Sequence, residues 1–465
     1  MAKNLLEAYS KRLQIAESVY GQTHEGQKMS QIKKLTVATC LDNVSRFMNE
    51  AFDSSAATQR ADMGNWKRFC LNLTNVALPN LIAFDLVMVS PMTSMTGYVA
   101  YVEYLAGTSK GQTENGHLFN SPFKLGDVDA EYTSEAVTET FATSQTALAW
   151  TPAAQDVFKA ADGTVLGDVK VIKAADGSVV FGTFASAADA ETGTLASMTF
   201  KDATGATATY TIVAGDKIAY KYDNIVIPQE KLPTLRAEIK SIPLLAKARR
   251  IAVFYSQIAA FQAKTDYGFD LGDQLAEKAV GQLSYEIDTE VVQLLDSIAK
   301  ANFAALDAAG QAELTWSKTL PVGVSKREHY AGFAEILEIA KQKIYDATKR
   351  FAPNYMICAS NLLPVLSMMD GFSAAPAGSI NGPYYAGTIG SLKVFISPAM
   401  APGDFAIGVN GSDMMSSVAV YAPYMPIVPT QLLQFADGAT SQGFSTMYDL
   451  VKLNDALIIG GRITA

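Results

Sequence analysis

This chain of 465 residues has little of what reactive sites are built from: three histidines and three cysteines. His24 falls in a polar linker, His117 in a polar loop and His329 at a helix start. Cys40, Cys70 and Cys358 are far apart and never spaced Cys-x-x-Cys. They point to buried thiols in a reducing compartment, and away from a disulfide framework or a zinc site. The phosphate loop Gly-x-x-x-x-Gly-Lys-Ser/Thr, a post-strand Gly-x-Gly-x-x-Gly and His-Glu-x-x-His are all missing. Gly443-Phe-Ser-Thr-Met447 departs from a nucleophile elbow at its last position. The start, Met-Ala-Lys-Asn-Leu-Leu-Glu, lacks the apolar run of a signal peptide, and no apolar window reaches the length of a membrane span. Soluble, intracellular synthesis is the expectation. Positive charge is also scarce. A net charge of −9 argues against a grip on nucleic acid by phosphate neutralisation.

What the chain does have is apolar material. Hydrophobic residues make up 49% and aromatics 10%, enough for a sizeable core without disulfides or metals. Its length allows one large domain or a few ordinary ones. The best metal candidate is the triplet Asp127, Asp129 and Glu131, which share one face if the segment is a strand. An EF-hand needs glycine where Tyr132 stands, so a solvated or interfacial strand face is the simpler reading. Glu286 and Glu290 share a helix face and could form an acid/base pair, but a solvated face explains them as well. Cys358 lies in an apolar strand, where thiols are inert. Lys240, Lys247, Arg249 and Arg250 cluster as a contact for an acidic neighbour surface or nucleic acid, or as a solvated strand face. No catalytic, cofactor-binding or metal-ligating residue is assigned, no cofactor is implied, and the chain is not read as an enzyme.

In chain order, Leu5, Leu6, Tyr9, Leu13, Ala16 and Tyr20 make an amphipathic helix over 1–20, ended by Gly21. After a polar linker over 21–34, a second helix runs from about Leu35 to Phe52. These helices either fold back on the chain or form an arm over neighbouring subunits. Leu78 to Tyr104 organises the rest. Its first half is apolar except for Asp85 and is bracketed by Pro79 and Pro91; its second half alternates as Tyr98-Val-Ala-Tyr-Val-Glu-Tyr104. It reads as a buried helix or turn, a strand ending at Pro91 and a strand from Gly97. Residues 149–222 shift to Ala, Gly, Thr and Asp. Lys159-Ala-Ala-Asp-Gly-Thr-Val165 recurs as Lys173-Ala-Ala-Asp-Gly-Ser-Val179, with a looser echo at Lys201-Asp-Ala-Thr-Gly205. Asp-Gly between apolar runs signals hairpins, so this is an inserted all-β module. A helix of about 30 residues over 271–302 would reach ~45 Å. Ser325-Lys-Arg-Glu328 is a capping box that opens a helix to about Arg350. Strands at Tyr355, Leu392 and Asp404 then alternate with helix, Gly371 to Ile389 forms a long loop, and the end is a loop-rich tail.

Pro79-Asn-Leu-Ile, Asp85-Leu-Val, Val89-Ser-Pro-Met and the aromatic strand after Gly97 resemble the major capsid proteins of contractile-tailed phages, both T-even-like and giant Gram-positive myovirus types. Tyr421-Ala-Pro-Tyr and Phe444-Ser-Thr-Met-Tyr resemble the end of that family. The resemblance implies an α+β, Hong Kong 97-type capsid fold. It divides the chain into an N-terminal arm (1–77), an extended loop carrying the β module (105–224) and an axial domain (325–424). The peripheral domain would take 78–104, 225–324 with its spine helix, and 425–465. It implies hexamers, with pentamers of the same or another chain, around double-stranded DNA that is confined without sequence-specific binding. Scaffold, portal and decoration proteins are the implied partners, no membrane is involved, and the virion is the location after synthesis in the host cytoplasm. Relatives cross-link a loop lysine, for which Lys110 and Lys124 are in the right segment, and lose a leader after Leu/Ile-x-Glu, matched by Leu5-Leu-Glu7 and Ile15-Ala-Glu17. The alternatives are an encapsulin-like nanocompartment shell, of the same fold, and a structural protein whose β module binds glycans.

Overall fold

The computed structural model describes residues 2–23, 28–53, 63–108, 113–127, 132–133, 136–143, 145–148, 158–160, 162–196, 198–221, 233–375, 382–411, 414–430, 433–436 and 438–464. It is an α+β chain of two compact units. The first comprises Met1–Val99 and Ser241–Ala465; the second is Ala100–Lys240.

Among the described residues, two sheets lie wholly within the first unit. One orders Met88–Val89, Ala419–Pro429, Ala439–Lys452 and Lys247–Ser256, with Leu433–Gln434 alongside. Met88–Val89 runs parallel to its neighbour, and the longer strands pair antiparallel. The other is seven-stranded and mixed, in the order Thr315–Ser317, Ile458–Thr464, Asp404–Gly408, Tyr355–Cys358, Leu392–Ile396, Tyr384–Ile389, Phe372–Ala374. Every residue of Tyr355–Cys358 and of Asp404–Gly408 is buried, as central strands covered on both faces require. One hydrophobic core joins both sheets to the N-terminal helices, the long helix Leu271–Ala305 and the helix Phe333–Thr348.

The long helix has 35 residues, so it extends about 52 Å. Asp270 caps it by accepting the Gly272 N–H at 3.0 Å. Ala279, Leu283, Ile287, Val291, Leu295 and Ile298 keep a single buried stripe. The capping box is present: Ser325 accepts from Glu328 N–H, and the Glu328 carboxylate accepts the Ser325 N–H. Its helix is shorter than expected, because the chain breaks at Gly332 into Lys326–Ala331 and Phe333–Thr348.

Several expectations change. Gly21 does not end the first helix: helices run Ala2–Ala8 and Ser10–Thr23, and the next starts at Gln31, inside the expected linker. A further helix, Met63–Ala77, was not anticipated. The helix-forming stripes bury Leu13, Ala16, Tyr20, Val37, Leu41 and Val44 in the chain's own core. The long loop of 371–389 is instead partly a hairpin, with Phe372 opposite Ile389; residues 376–381 lie outside the described residues. The tail is not loop: Ile458–Thr464 is an internal strand of the seven-stranded sheet.

In the second unit, the module is not wholly β and starts earlier than residue 149. Its six-stranded antiparallel sheet takes in Ala136–Thr140 at one edge, and it includes the helix Ala187–Thr192, capped by Ser186. The three Asp-containing repeats are turns, as their composition requires. Thr164, Ser178 and Thr204 N–H groups donate to Asp162, Asp176 and Asp202 at 2.9, 3.0 and 2.9 Å. Gly163, Gly177 and Gly205 have φ of 85°, 69° and 88°, where a Cβ is disfavoured. A core of Leu148, Val169, Val171, Val180, Phe184, Phe200 and Ile218 lies under the sheet. In the same unit, Leu118–Asn120 pairs antiparallel with Tyr104 and Leu105.

Candidate functional site

The residues with chemical potential do not converge. His24, Asp129, Glu131 and Lys110 lie outside the described residues. His117 packs its ring 5.9 Å from Phe119. His329 stacks on Trp316 at 4.8 Å, with its Nε2 2.9 Å from the Ser317 carbonyl. Asp127 and Lys124 are exposed. Glu286 is held by the Gln282 amide at 3.0 Å. Glu290 instead takes two 2.6 Å bonds from Arg249 and one from the Tyr448 hydroxyl, so the two glutamates do not act as a pair. Burial pushes the Cys40, Cys70 and Cys358 thiols up to about 12, far from a reactive thiolate. Of the basic cluster, Lys240 pairs with Glu103 at 2.6 Å and Arg249 with Glu290, while Lys247 and Arg250 are exposed. Among the described residues, no cluster of three His, Cys, Asp or Glu could hold a metal, and no helix is long and apolar enough to cross a membrane.

What does converge is structural. The apolar stretch from Leu78 forms the helix Ala83–Leu86 and the short strand Met88–Val89, with Phe84 and Leu86 completely buried. Elements far apart in sequence close on it. Lys33 reaches Asp85 at 2.9 Å, and the Tyr20 hydroxyl donates to the same oxygen at 3.1 Å. Lys33 also donates to Tyr20 at 2.9 Å, so one cation and one phenol from two N-terminal helices share one carboxylate. The Asn43 amide donates to the Met92 and Tyr424 carbonyls at 2.8 and 2.7 Å, stapling the helix Gln31–Asp53 to both segments. From the C-terminal half, the Ser417 hydroxyl accepts the Met88 N–H at 3.0 Å, and Asn410 donates to the Asp85 carbonyl at 2.7 Å. The long helix contributes Asp288, whose carboxylate accepts the Ala83 N–H at 3.2 Å. Burial raises the Asp288 carboxyl from its ordinary 3.8 to about 7, against the lowering effect of the Ala83 and Ile82 N–H groups.

This junction has no catalytic geometry. An open groove of about 550 Å³ next to it is lined by Ser90, Met92, Thr93, Tyr98, Val99 and Leu244, with no titratable side chain except Tyr98. It is built to hold parts of one chain in a fixed relation. Asp85 was legible as the lone charge of an apolar run. Asp288 was missed, although its position between Ile287 and Val291 puts it on the buried side of the helix stripe.

Comparison with known proteins explains a large chain of this kind. Residues 63–461 match the family model of the major capsid protein Gp23. The chain belongs to the Gp23 major capsid protein family. It is 25% identical over 402 residues to the major capsid protein of Vibrio phage KVP40, covering 81% of this chain and 74% of that protein. To the major capsid protein of Enterobacteria phage T4 it is 24% identical over 425 residues, covering 82% and 74%. Among solved structures, the capsid of Myoviridae phage XM1 aligns with a TM-score of 0.33 and 6% identity, over 50% of this chain and 78% of that one. This Gp23 relative is thus a structural capsid protein of the T4-like myovirus type and a virion component. Its family is one of structural proteins. As capsid protein, it builds a shell from copies of itself. The encapsulin-like alternative is not favoured.

Proposed function

We propose that this chain is the repeating subunit of an icosahedral head, forming its hexamers, with pentamers of the same or another chain, around packaged double-stranded DNA. The family match across residues 63–461 carries this reading. The fold is read as the Hong Kong 97 type. Residues 1–77 are the arm, 105–224 the extended loop and 325–424 the axial domain. The peripheral domain is 78–104, 225–324 and 425–465, with Leu271–Ala305 as its spine. The final strand, Ile458–Thr464, pairs with Asp404–Gly408, which ties the last segment to the axial sheet.

The chemistry of the subunit is mechanical. Each contact between copies is modest, but a shell subunit has many neighbours, and simultaneous contacts multiply. The junction at Leu78–Met92 makes each copy rigid enough to transmit load, since a buried network that ties four distant segments together has few alternative arrangements. A net charge of −9 leaves DNA confined by the wall instead of bound to it. Scaffold, portal and decoration proteins are its expected partners, and the host cytoplasm its place of synthesis.

Electron microscopy of the purified chain, with mass by light scattering, tests the reading. Closed shells or rings of five and six copies are expected, alone or on co-expression with a scaffold. A chain that stays monomeric in both conditions overturns it.

A further inference from the structure

The strand Lys247–Ser256 ends its sheet, so among the described strands its outer edge has no partner. Its two faces differ. Ile251 and Val253 pack against the cluster that holds Ala279 and Leu283 of the long helix and Phe444. The alternate residues Ala248, Arg250, Ala252 and Phe254 are all exposed. The helix that follows, Gln257–Asp266, is capped by Ser256 and buries only Ala263. Its larger apolar residues face outward: Ile258 and Phe261 are 73% and 71% exposed and three residues apart, so they share a face. Phe254 just before it and Tyr267 just after it are 66% and 76% exposed.

A soluble helix normally turns its apolar side inward; this one turns it out. The four side chains offer on the order of 500 Å² of apolar surface, taking about 150–250 Å² for each aromatic. A stable interface takes roughly 800 Å² from each partner, so this patch would supply its apolar centre. Its rim carries both signs. Arg250 is on the outward strand face, and Lys264 is three residues beyond Phe261. Asp273 and Glu277, four apart on the first turns of the long helix, are exposed on the element against which this helix packs. None of these four has an ion-pair partner among the described residues. Exposed Asp266 and Lys278 put both signs on each helix, and a patch with an apolar centre and a rim of mixed charge can pair with a second copy of itself about a two-fold axis.

We propose that the corner formed by Phe254, Ile258, Phe261 and Tyr267 is where two copies of this chain meet about a two-fold axis, Arg250 and Lys264 of each facing Asp273 and Glu277 of the other. This rests on the shell reading and adds the surface that carries it. Ile258→Asp/Phe261→Asp should leave circular dichroism and the thermal midpoint unchanged, because both side chains are exposed. The same change should raise the concentration needed for assembly by at least about tenfold, because charges would be buried in the contact. A wild-type chain that never assembles overturns the shell reading and this contact with it. A wild-type chain that assembles no better than the variant overturns the contact alone. Phe261→Cys decides the matter independently of folding losses, since the native cysteines are all buried. In assembled material its thiol should resist maleimide and be joined to its counterpart by a short bis-maleimide. Free labelling in the assembly, or protection without a cross-linked dimer, overturns the two-fold contact.

Discussion

The Asp288 carboxylate accepts a hydrogen bond from the Ala83 N–H across 205 residues of sequence, and it does so inside the core. This joins the long helix to the segment on which the N-terminal helices and the C-terminal sheet also converge. The cost is a buried acid whose pKa is raised from 3.8 to about 7.

That shift fixes a sign. A carboxyl with a folded pKa above its unfolded value takes up a proton on folding, so its contribution is best below about pH 4 and worsens as pH rises to about 7. The full change is about 4 kcal/mol, at about 1.36 kcal/mol per pH unit. Asp288→Asn keeps an acceptor for Ala83 without the buried charge. It should stabilise the chain at pH 8 by about 1–3 kcal/mol and flatten the stability profile between pH 4 and 7. Denaturant unfolding at pH 5 and pH 8 measures both. An unchanged difference between the two pH values in the Asn variant would show that Asp288 is not the titrating group.

Lys33 and Asp85 are a second tie, between the N-terminal helices and the same segment. The carboxylate is 5% exposed, so losing its cation removes the charge that balances a nearly buried carboxylate. Lys33→Ala should cost about 1–3 kcal/mol. The loss should be local. Hydrogen exchange should accelerate in Ser10–Thr23 and Gln31–Asp53, while Tyr355–Cys358 keeps its protection. Acceleration spread evenly over all of these would mean that the pair does not anchor the N-terminal helices specifically.

Much of this was legible in the sequence where local physics decides. The stripe of the long helix, the Ser325–Glu328 box and the Asp-Gly turns depend on residues a few positions apart, and each forms as read. The sequence misled where a distant neighbour decides. Gly460 and Gly461 look like loop residues, yet they are in a central strand because other backbone and side chains come too close for a Cβ. A Cβ on Gly460 would be 2.8 Å from the Ala299 carbonyl oxygen, and one on Gly461 would be 2.2 Å from the Phe405 ring. Gly21 reads as a helix stop but is carried through, because Ala16 and Tyr20 on the same helix are anchored in the core. For the junction, Asp85 was visible as an isolated charge, whereas Tyr20 reads only as the last member of an apolar helix stripe and Lys33 as part of a polar linker, and neither points to Asp85 until the helices are docked.

Asp216 of the second unit is the acidic counterpart with the opposite sign. It is fully buried, and its oxygens accept the Ala174 and Val213 N–H groups at 2.9 Å each and the Tyr210 hydroxyl. Burial alone would raise its carboxyl. The hydrogen bonds from Tyr210, Ala174 and Val213, helped by Lys173, outweigh it and hold the carboxyl below its ordinary 3.8. A lowered folded pKa means that its stabilisation is present above about pH 4 and is lost as pH falls through the lower folded value. Asp216→Ala leaves three donors unsatisfied and should cost about 2–4 kcal/mol in the β module. Acid should therefore act oppositely on the two carboxyls, relieving the strain at Asp288 while removing the support of Asp216. Hydrogen exchange of the whole chain at pH 6 and pH 3 should show Val169–Ile172 and Lys217–Lys221 losing protection first, with the Ala83–Leu86 segment still protected. The Asp216→Ala chain should already show the acid pattern in those strands at pH 6. If its strands are as protected there as in the unaltered chain, the carboxylate does not hold the module together.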